Sequence, residues 1–352
     1  MDLVKESIAI IKKNQAANGA YLASPNLTVY RYCWFRDGGW IAHAMLLYGE
    51  NESAALFHDW ASRIIISHRE KIHRAIENAR KHIPLGDDFI HARYTVDGEE
   101  VKAHWGERQF DGLGVWLWTL FYHIEKTKTR KKEWIIAAEL LCNYLQEVWQ
   151  LPCNDLWEEN AAHIHTSTLS SIHGGLSVWS EFFSEKKLNE TCLAIQKFVI
   201  EHCIYDGRLV KYVGTTDVDA SSLMCAVPFS LFSVHDPLIQ KTVAQIVKEL
   251  QTTMGLRRYS ADTFYGGGEW IILACWLGWY YAEIGKKKEA EKILHWTEAQ
   301  ADENFFLPEQ INPIHQNTYL EWRDRWGLSA NPLLWSHAMY LILHNTLTND
   351  IH

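Results

Sequence analysis

The chain has 352 residues, 47% hydrophobic and 22% charged, with a net charge of -9 at pH 7. That length buries a large core in one big domain or two ordinary ones, and the negative balance argues against a nucleic acid or an anionic membrane surface as main partner. The seven cysteines (33, 142, 153, 192, 203, 225 and 275) form no CxxC pair, and their odd number points to a reducing compartment. Met1 to Glu6 is amphipathic rather than signal-like, and no apolar run is long enough for a bilayer. A cytoplasmic protein without nucleic-acid or membrane partners is expected.

Residues 2–18 read as a helix with Val4, Ile8 and Ile11 on one face, closed by Asn18-Gly19. Residues 20–35 hold Pro25 and the aromatic string Tyr30 to Phe35, and a second helix runs from about Arg36 to Tyr48. Residues 52–80 are helical and charged, and His91 to Gly98 looks like a strand and turn. Residues 112–125 are apolar nearly all round, whereas 131–149 carry a single stripe of Trp134, Ala138, Leu141, Leu145 and Val148. The same pair recurs: apolar near 166–183, striped near 187–203, and apolar near 218–232. Asp236-Pro237 then opens a striped helix with Ile239, Val243, Ile246 and Leu250. Residues 269–284 are apolar, 287–301 charged, 302–330 a long connection and 331–346 a last apolar helix.

A helix apolar all round is buried, and a striped helix lies outside it. Twelve helices in that alternation predict an all-α (α/α)6 barrel, six inner helices within six outer ones, as one domain over residues 1–352. A helical solenoid would show residue-level repeats at a fixed period, and none is present. In such a barrel every outer-to-inner link lies at one end. These links hold the unusual residues: Tyr30 to Asp37, Trp105 to Gly112, Asp155 to Asn160, Thr215 to Asp219, Arg257 to Trp270 and Leu307 to Gln310. Loops on a rigid scaffold are the usual home of binding groups. Flat rings beside acids, in a chain with 17 Trp, 15 Tyr and 13 Phe, suit a sugar.

The third link, Asp155-Leu156-Trp157-Glu158-Glu159-Asn160, sets three carboxylates around an indole. Crowded acids in unequal surroundings ionise unequally, which is what a general acid requires. The alternative is an acidic first turn of the helix near Thr166, favoured by the dipole. His163 and His165 alternate like two metal ligands but lack a third, so no metal is expected. The glycines at 266–268 lack the Lys-Ser/Thr of a phosphate loop. No cofactor is expected.

Tyr30-x-Tyr32-x-Trp34-x-Arg36-Asp37, Trp105-Gly-x-x-Gln109-x-Asp111-Gly112, Asp155-Leu-Trp157-Glu158-Glu159, Arg258-Tyr259-x-x-Asp262-x-x-Tyr265-x-Gly-x-x-Trp270 and Pro308-Glu309-Gln310 with Leu334-Trp335-Ser336-His337 follow in order. Together they resemble the motifs of the glucoamylase family, glycoside hydrolase family fifteen, across nearly its whole catalytic domain. The resemblance implies an inverting, exo-acting α-glucosidase that releases β-glucose from short α-linked gluco-oligosaccharides. Glu158 would be its general acid and Glu309 its general base, roughly 6.5–9.5 Å apart to admit a water. It further implies that Arg36, Asp37 and Arg258 hold the terminal glucose and that Glu159 holds the next sugar. Trp105 and Trp157 would wall the site, Tyr30 would stand by the attacked ring, and Trp34 and Trp270 would complete the binding set.

The chain departs from the family in leaving no span for an N-terminal β-sandwich or a starch-binding domain. It also departs in carrying Glu107 and Arg108 within the second motif and Glu269 after the glycines, where proline is common. A catalytically inactive sugar-binding barrel, a trehalase and an inverting phosphorylase are the alternatives.

Overall fold

A computed structural model describes residues 2–101 and 105–348. Helix α1 (Leu3–Lys13) is capped by Asp2, whose carboxylate accepts the Lys5 amide. It ends well short of residue 18, where the Asn14 side chain donates back to the Ile10 carbonyl. Strand β1 (Cys33–Trp34) leads directly into α2 (Phe35–Leu47). The expected helix over 52–80 is two, α3 (Asn51–Ser67) and α4 (Arg69–Arg80). Both the Ser67 hydroxyl and the His68 ring bond the Ile64 carbonyl, which gives the backbone a local alternative to helix at that point. The expected strand over 91–98 shrinks to β2 (Arg93–Tyr94), antiparallel to β1 with Cys33 opposite Tyr94 and Trp34 opposite Arg93.

Then follow α5 (Asp111–Thr127), α6 (Lys132–Val148), α7 (Thr166–Phe183), α8 (Lys186–His202) and the hairpin β3 (Ile204–Tyr205) with β4 (Arg208–Leu209). The apolar run 218–232 is a correction: only a 3₁₀ segment, Ala220–Cys225, forms there. Pro228 has no amide hydrogen to donate and its ring clashes with the preceding turn, so the run cannot continue as a helix. It stays in the inner layer all the same, with Ala220 to Val227 buried. Helix α9 (Pro237–Leu250) is capped by Asp236, which accepts the Leu238 amide. Strand β5 (Glu269–Trp270), α10 (Ile271–Glu283), α11 (Lys287–Glu298) and β6 (Gln310–Ile311) follow, with β5 and β6 paired. The connection 302–330 contains an unforeseen helix, α12 (Gln316–Trp326), with no buried residue; α13 (Leu334–Thr348) ends the described chain.

The inner ring runs α2, α5, α7, the 3₁₀ segment, α10 and α13, and closes where α13 packs on α2. Each inner element has its outer partner: α1 on α13, α3 on α2, α6 on α5, α8 on α7, α9 on the 3₁₀ segment and α11 on α10, and α6 packs more broadly against α3 and α4. The architecture is the (α/α)6 barrel with one inner helix reduced to a single 3₁₀ stretch. Aromatic rings plug its axis. The Trp40 ring centroid lies 6.0 Å from Trp118, 5.9 Å from Phe229 and 5.7 Å from Trp276. With the axis filled, open space is left at one mouth. All seven cysteines are buried and free, and no described helix is long and apolar enough to cross a membrane.

Helices α5 and α7 touch through glycine. A Cβ on Gly114 would sit 2.3 Å from the Ser171 carbonyl oxygen, and one on Gly175 would sit 2.6 Å from the Gly114 carbonyl. Alanine in a helix interior gains about 1 kcal/mol over glycine, but overpacking a fixed backbone contact costs about 1–3 kcal/mol. We therefore expect Gly114→Ala to lower the chemical-denaturation midpoint despite its better helix propensity. A midpoint at or above the parent's would contradict this packing.

Candidate active site

Five of the six outer-to-inner links line one cavity of about 1010 Å³, open mouth included, whereas the fourth, Thr215 to Asp219, contributes no lining residue. That size suits a small ligand. Glu158, Glu309, Tyr30, Trp34, Arg36, Asp37, Trp105, Trp157, Glu159, Arg258 and Trp270 all line it.

The acidic stretch is not the first turn of a helix, because α7 begins at Thr166 and has no acid there. It is a tight loop. One oxygen of Asp155 accepts the amides of Trp157 at 3.0 Å and Glu159 at 2.9 Å, while the Glu158 amide donates to the Asp155 carbonyl. Asp155 is fully buried, and although burial raises its pKa, Lys211 outweighs this and holds it below the ordinary carboxylate range. Asp155 is thus a fixed anion at the root of the loop.

The loop bends Glu158 into the left-handed region, φ 70°, a conformation uncommon outside glycine that persists only where surroundings enforce it. Gly106 makes room: a Cβ there would lie 2.8 Å from the Glu158 carbonyl oxygen. The Glu158 carboxylate accepts the Trp34 indole at 2.6 Å and also the Trp105 indole, with Arg36 Nη2 at 3.6 Å.

Glu309 follows Pro308 and precedes β6, and it is 2% exposed. It accepts the Tyr30 hydroxyl at 2.9 Å and the Ser329 hydroxyl at 3.1 Å. Burial pushes its carboxyl up to about 7, against the hydrogen bonds from Tyr30 and Ser329, which favour the charged form. The Tyr30 and Trp34 rings meet edge to face, centroids 5.7 Å apart. One aromatic pair therefore holds both acids, one on each ring.

Arg36 is no isolated capping pair. Its Nη1 donates to Gln109 at 2.7 Å and Asp111 at 3.2 Å, and its guanidinium lies 5.2 Å over Trp335. Asp37, at its side, is pushed up to about 6 by burial, and its Oδ2 has no hydrogen-bond partner among the described residues. Arg258 grips Asp262 through two nitrogens, at 2.8 and 2.5 Å, and reaches Glu159 at 3.1 Å. Tyr259 donates to the other oxygen of Glu159 at 2.5 Å.

Several lining residues were not foreseen. Phe264 and Trp335 fall inside quoted motifs. Trp322, Arg325 and Trp326 come from α12, where the spacing of two tryptophans by one helical turn was the only signal. Trp326 stacks on Trp105, centroids 5.4 Å apart, at the mouth.

The departures from the family pattern serve structure. Glu107 pairs with Arg93 at 2.8 Å, and Arg93 lies 4.2 Å over the Trp105 ring, bracing the wall. Glu269 accepts from Thr252, from the amide and hydroxyl of Thr253 at 2.8 Å each, and from Asn312 at 2.7 Å, tying together the loops on either side of β5 and β6. His163 stacks on Tyr212, and His165 bonds the carbonyls of Cys153 and Asn160.

Ser329 stabilises the charged form of Glu309, so removing its hydroxyl raises the pKa of that carboxyl. In Ser329→Ala, titration of carboxyl-labelled glutamate by ¹³C NMR is expected to show Glu309 ionising at higher pH than in the parent. An unchanged or lower midpoint would contradict the contact.

Comparison with known proteins agrees with this geometry. The family described as glycosyl hydrolases family 15 matches residues 1–298. The isomaltose glucohydrolase of Kribbella flavida is 37% identical over 357 residues, spanning 98% of this chain and 92% of that protein. A glycosidase variant solved in complex with glucose superposes with a TM-score of 0.94 at 37% identity, covering 98% of this chain and 96% of that one. A bacterial glucoamylase complexed with acarbose shares the fold at TM-score 0.75 and 20% identity, covering 98% of this chain and 55% of its own. With its barrel, its cavity and these likenesses in agreement, the chain belongs to glycosyl hydrolases family 15 and is a glycoside hydrolase of the glucoamylase type.

Proposed function

We propose that the chain is an inverting, exo-acting glucosidase that takes a single glucose from the non-reducing end of a short α-linked gluco-oligosaccharide of the isomaltose kind. The observation that carries this reading is the pair of carboxylates on one cavity, Glu158 and Glu309, each bound to its own ring of the Tyr30–Trp34 pair.

Glu158 gives its proton to the glycosidic oxygen as the bond from the anomeric carbon breaks. Glu309 takes a proton from the water that forms the new bond on the opposite face. A base whose pKa lies near neutrality is well matched to that task. After turnover Glu309 holds a proton and Glu158 a charge, and exchange with water through the mouth resets both. Arg36 and Asp37, both lining the cavity, bind hydroxyls of the terminal glucose. Arg258 binds others, and Glu159 meets the next sugar. Trp157 and Trp270, ring centroids 5.2 Å apart, form one wall, and Trp105 with Trp326 covers the outer end.

Two facts favour a short substrate. The relative from Kribbella flavida is named for isomaltose. Helix α12 also brings Trp322, Arg325 and Trp326 over the mouth, where a long glucan would have to continue.

The test is turnover of maltose, isomaltose, trehalose and longer glucans by the parent, Glu158→Gln and Glu309→Gln. We expect glucose release from isomaltose above the others, and each variant to lower kcat by roughly 10²–10⁴-fold with the folded state retained by circular dichroism. Near-parent activity in either variant, phosphate-dependent turnover, or activity on trehalose alone would overturn the reading.

A further inference from the structure

Lys211 lies outside the cavity and outside every motif that identifies the family. It follows β4, its amide donates to the Asp217 carbonyl and its carbonyl accepts the Thr166 amide, which straps it to the start of α7. Its side chain is 5% exposed. The ammonium lies 2.7 Å from Asp219 Oδ2 and 3.1 Å from Asp155 Oδ2, and 3.8 Å from the centroid of the Tyr259 ring.

Each of those three partners holds part of the acid loop. Asp155 holds the amides of Trp157 and Glu159. Asp219 accepts the Trp157 indole at 3.0 Å and the Ser221 amide at 2.8 Å. Tyr259 holds the Glu159 carboxylate. Asp155 and Asp219 are each 1% exposed. Two buried carboxylates without a cation between them repel and must recruit water or protons, and a buried charge stripped of its partner is strongly destabilising. The Lys211 pKa is raised: burial pulls it down, but Asp219 and Asp155 outweigh that, so the cation is permanent.

We propose that Lys211 is a positioning residue for the leaving-group side of the reaction. Its ammonium locks the loop that presents Glu158 to the glycosidic oxygen and Glu159 to the departing sugar. The water side is built elsewhere, from Tyr30, Ser329 and Glu309, none of which Lys211 touches. This inference rests on Glu158 being the general acid.

The two sides can be separated chemically. Isomaltose needs a proton delivered to its leaving oxygen. In α-glucosyl fluoride the carbon–fluorine bond breaks with release of fluoride ion, which needs no proton, while Glu309 still takes a proton from the attacking water. A displaced acid loop therefore slows the first substrate alone.

The experiment compares kcat/KM for isomaltose and α-glucosyl fluoride in the parent, Lys211→Met and Asp219→Asn. Asparagine at 219 keeps the shape but must set its NH2 group against a donor, either the Lys211 ammonium or the Ser221 amide, and it removes the negative charge. Because both substrates see the same folded fraction, the ratio of the two constants is independent of how much protein is active. Misplacement of a reacting group by about 1 Å can cost 10²-fold, so we expect the isomaltose-to-fluoride ratio to fall roughly 10- to 100-fold in Lys211→Met. Most of that loss should lie in kcat. Asp219→Asn should fall in the same direction by less, and it carries the test alone if Lys211→Met does not fold. A ratio unchanged from the parent in the folded variants would overturn the role of Lys211. Failure of the parent itself to hydrolyse isomaltose would instead overturn the functional reading beneath it.

Discussion

One short step of chain, from Tyr30 through β1 into α2, carries the constraint on which the site depends. Tyr30 bonds Glu309 and Trp34 bonds Glu158, and the two rings rest against each other. Acids from the third and sixth links are thus referred to one rigid pair in the first link. That pair is anchored by the β1–β2 register and by the direct passage of β1 into a buried helix. Aromatic side chains suit such a brace because they have few rotamers and bring both a large contact area and a polar tip.

A cavity lined by so many carboxylates is unstable unless its charges are balanced. Three buried cations provide the balance, and each is held by an acid outside the cavity lining. Arg36 is held by Asp111, Arg258 by Asp262 and Lys211 by Asp219. The remaining charge of each cation is directed at the working acids: Glu158 and Asp37 for Arg36, Glu159 for Arg258, and Asp155 beneath the loop for Lys211. Buried pairs of this kind contribute little net stability, but losing one partner is costly. Their value here is geometry: the anchoring acids fix the cations, and the cations fix the loops.

Much of this was legible in the sequence. The all-round apolar helices declared the inner ring because no other environment accepts them, and the acidic and aromatic links pointed to one mouth. Other features were hidden for physical reasons. The run 218–232 has the composition of an inner helix, and only Pro228 signals that it cannot be one. Ser67 and His68 break α3 from α4 through side-chain bonds to a carbonyl, which hydrophobic periodicity does not register. Helix α12 carries a short aromatic face, Tyr319, Trp322 and Trp326, that meets Phe264, Tyr265 and the cavity rather than the core, and no residue of it is buried. Lys211 is a lone lysine in a polar hairpin, and its importance arises only when Asp155, Asp219 and Tyr259 close around it. Glu107 and Glu269 stood out in the sequence only as departures from the family pattern, and their bracing contacts with Arg93, Thr252, Thr253 and Asn312 appear only in the fold.

The central claim is that a water held by Glu309 attacks the face of the sugar opposite the bond that Glu158 protonates. The measurement that tests it most directly is ¹H NMR of the anomeric region during the first minutes of isomaltose hydrolysis, before mutarotation mixes the products. The reducing-end unit leaves as the anomeric mixture it already was, so the account predicts that the glucose from the non-reducing end adds β-anomer and lifts the early β-to-α ratio above the equilibrium value. An early excess of α-glucose over that value would contradict it, because the two carboxylates would then have to act through a covalent intermediate.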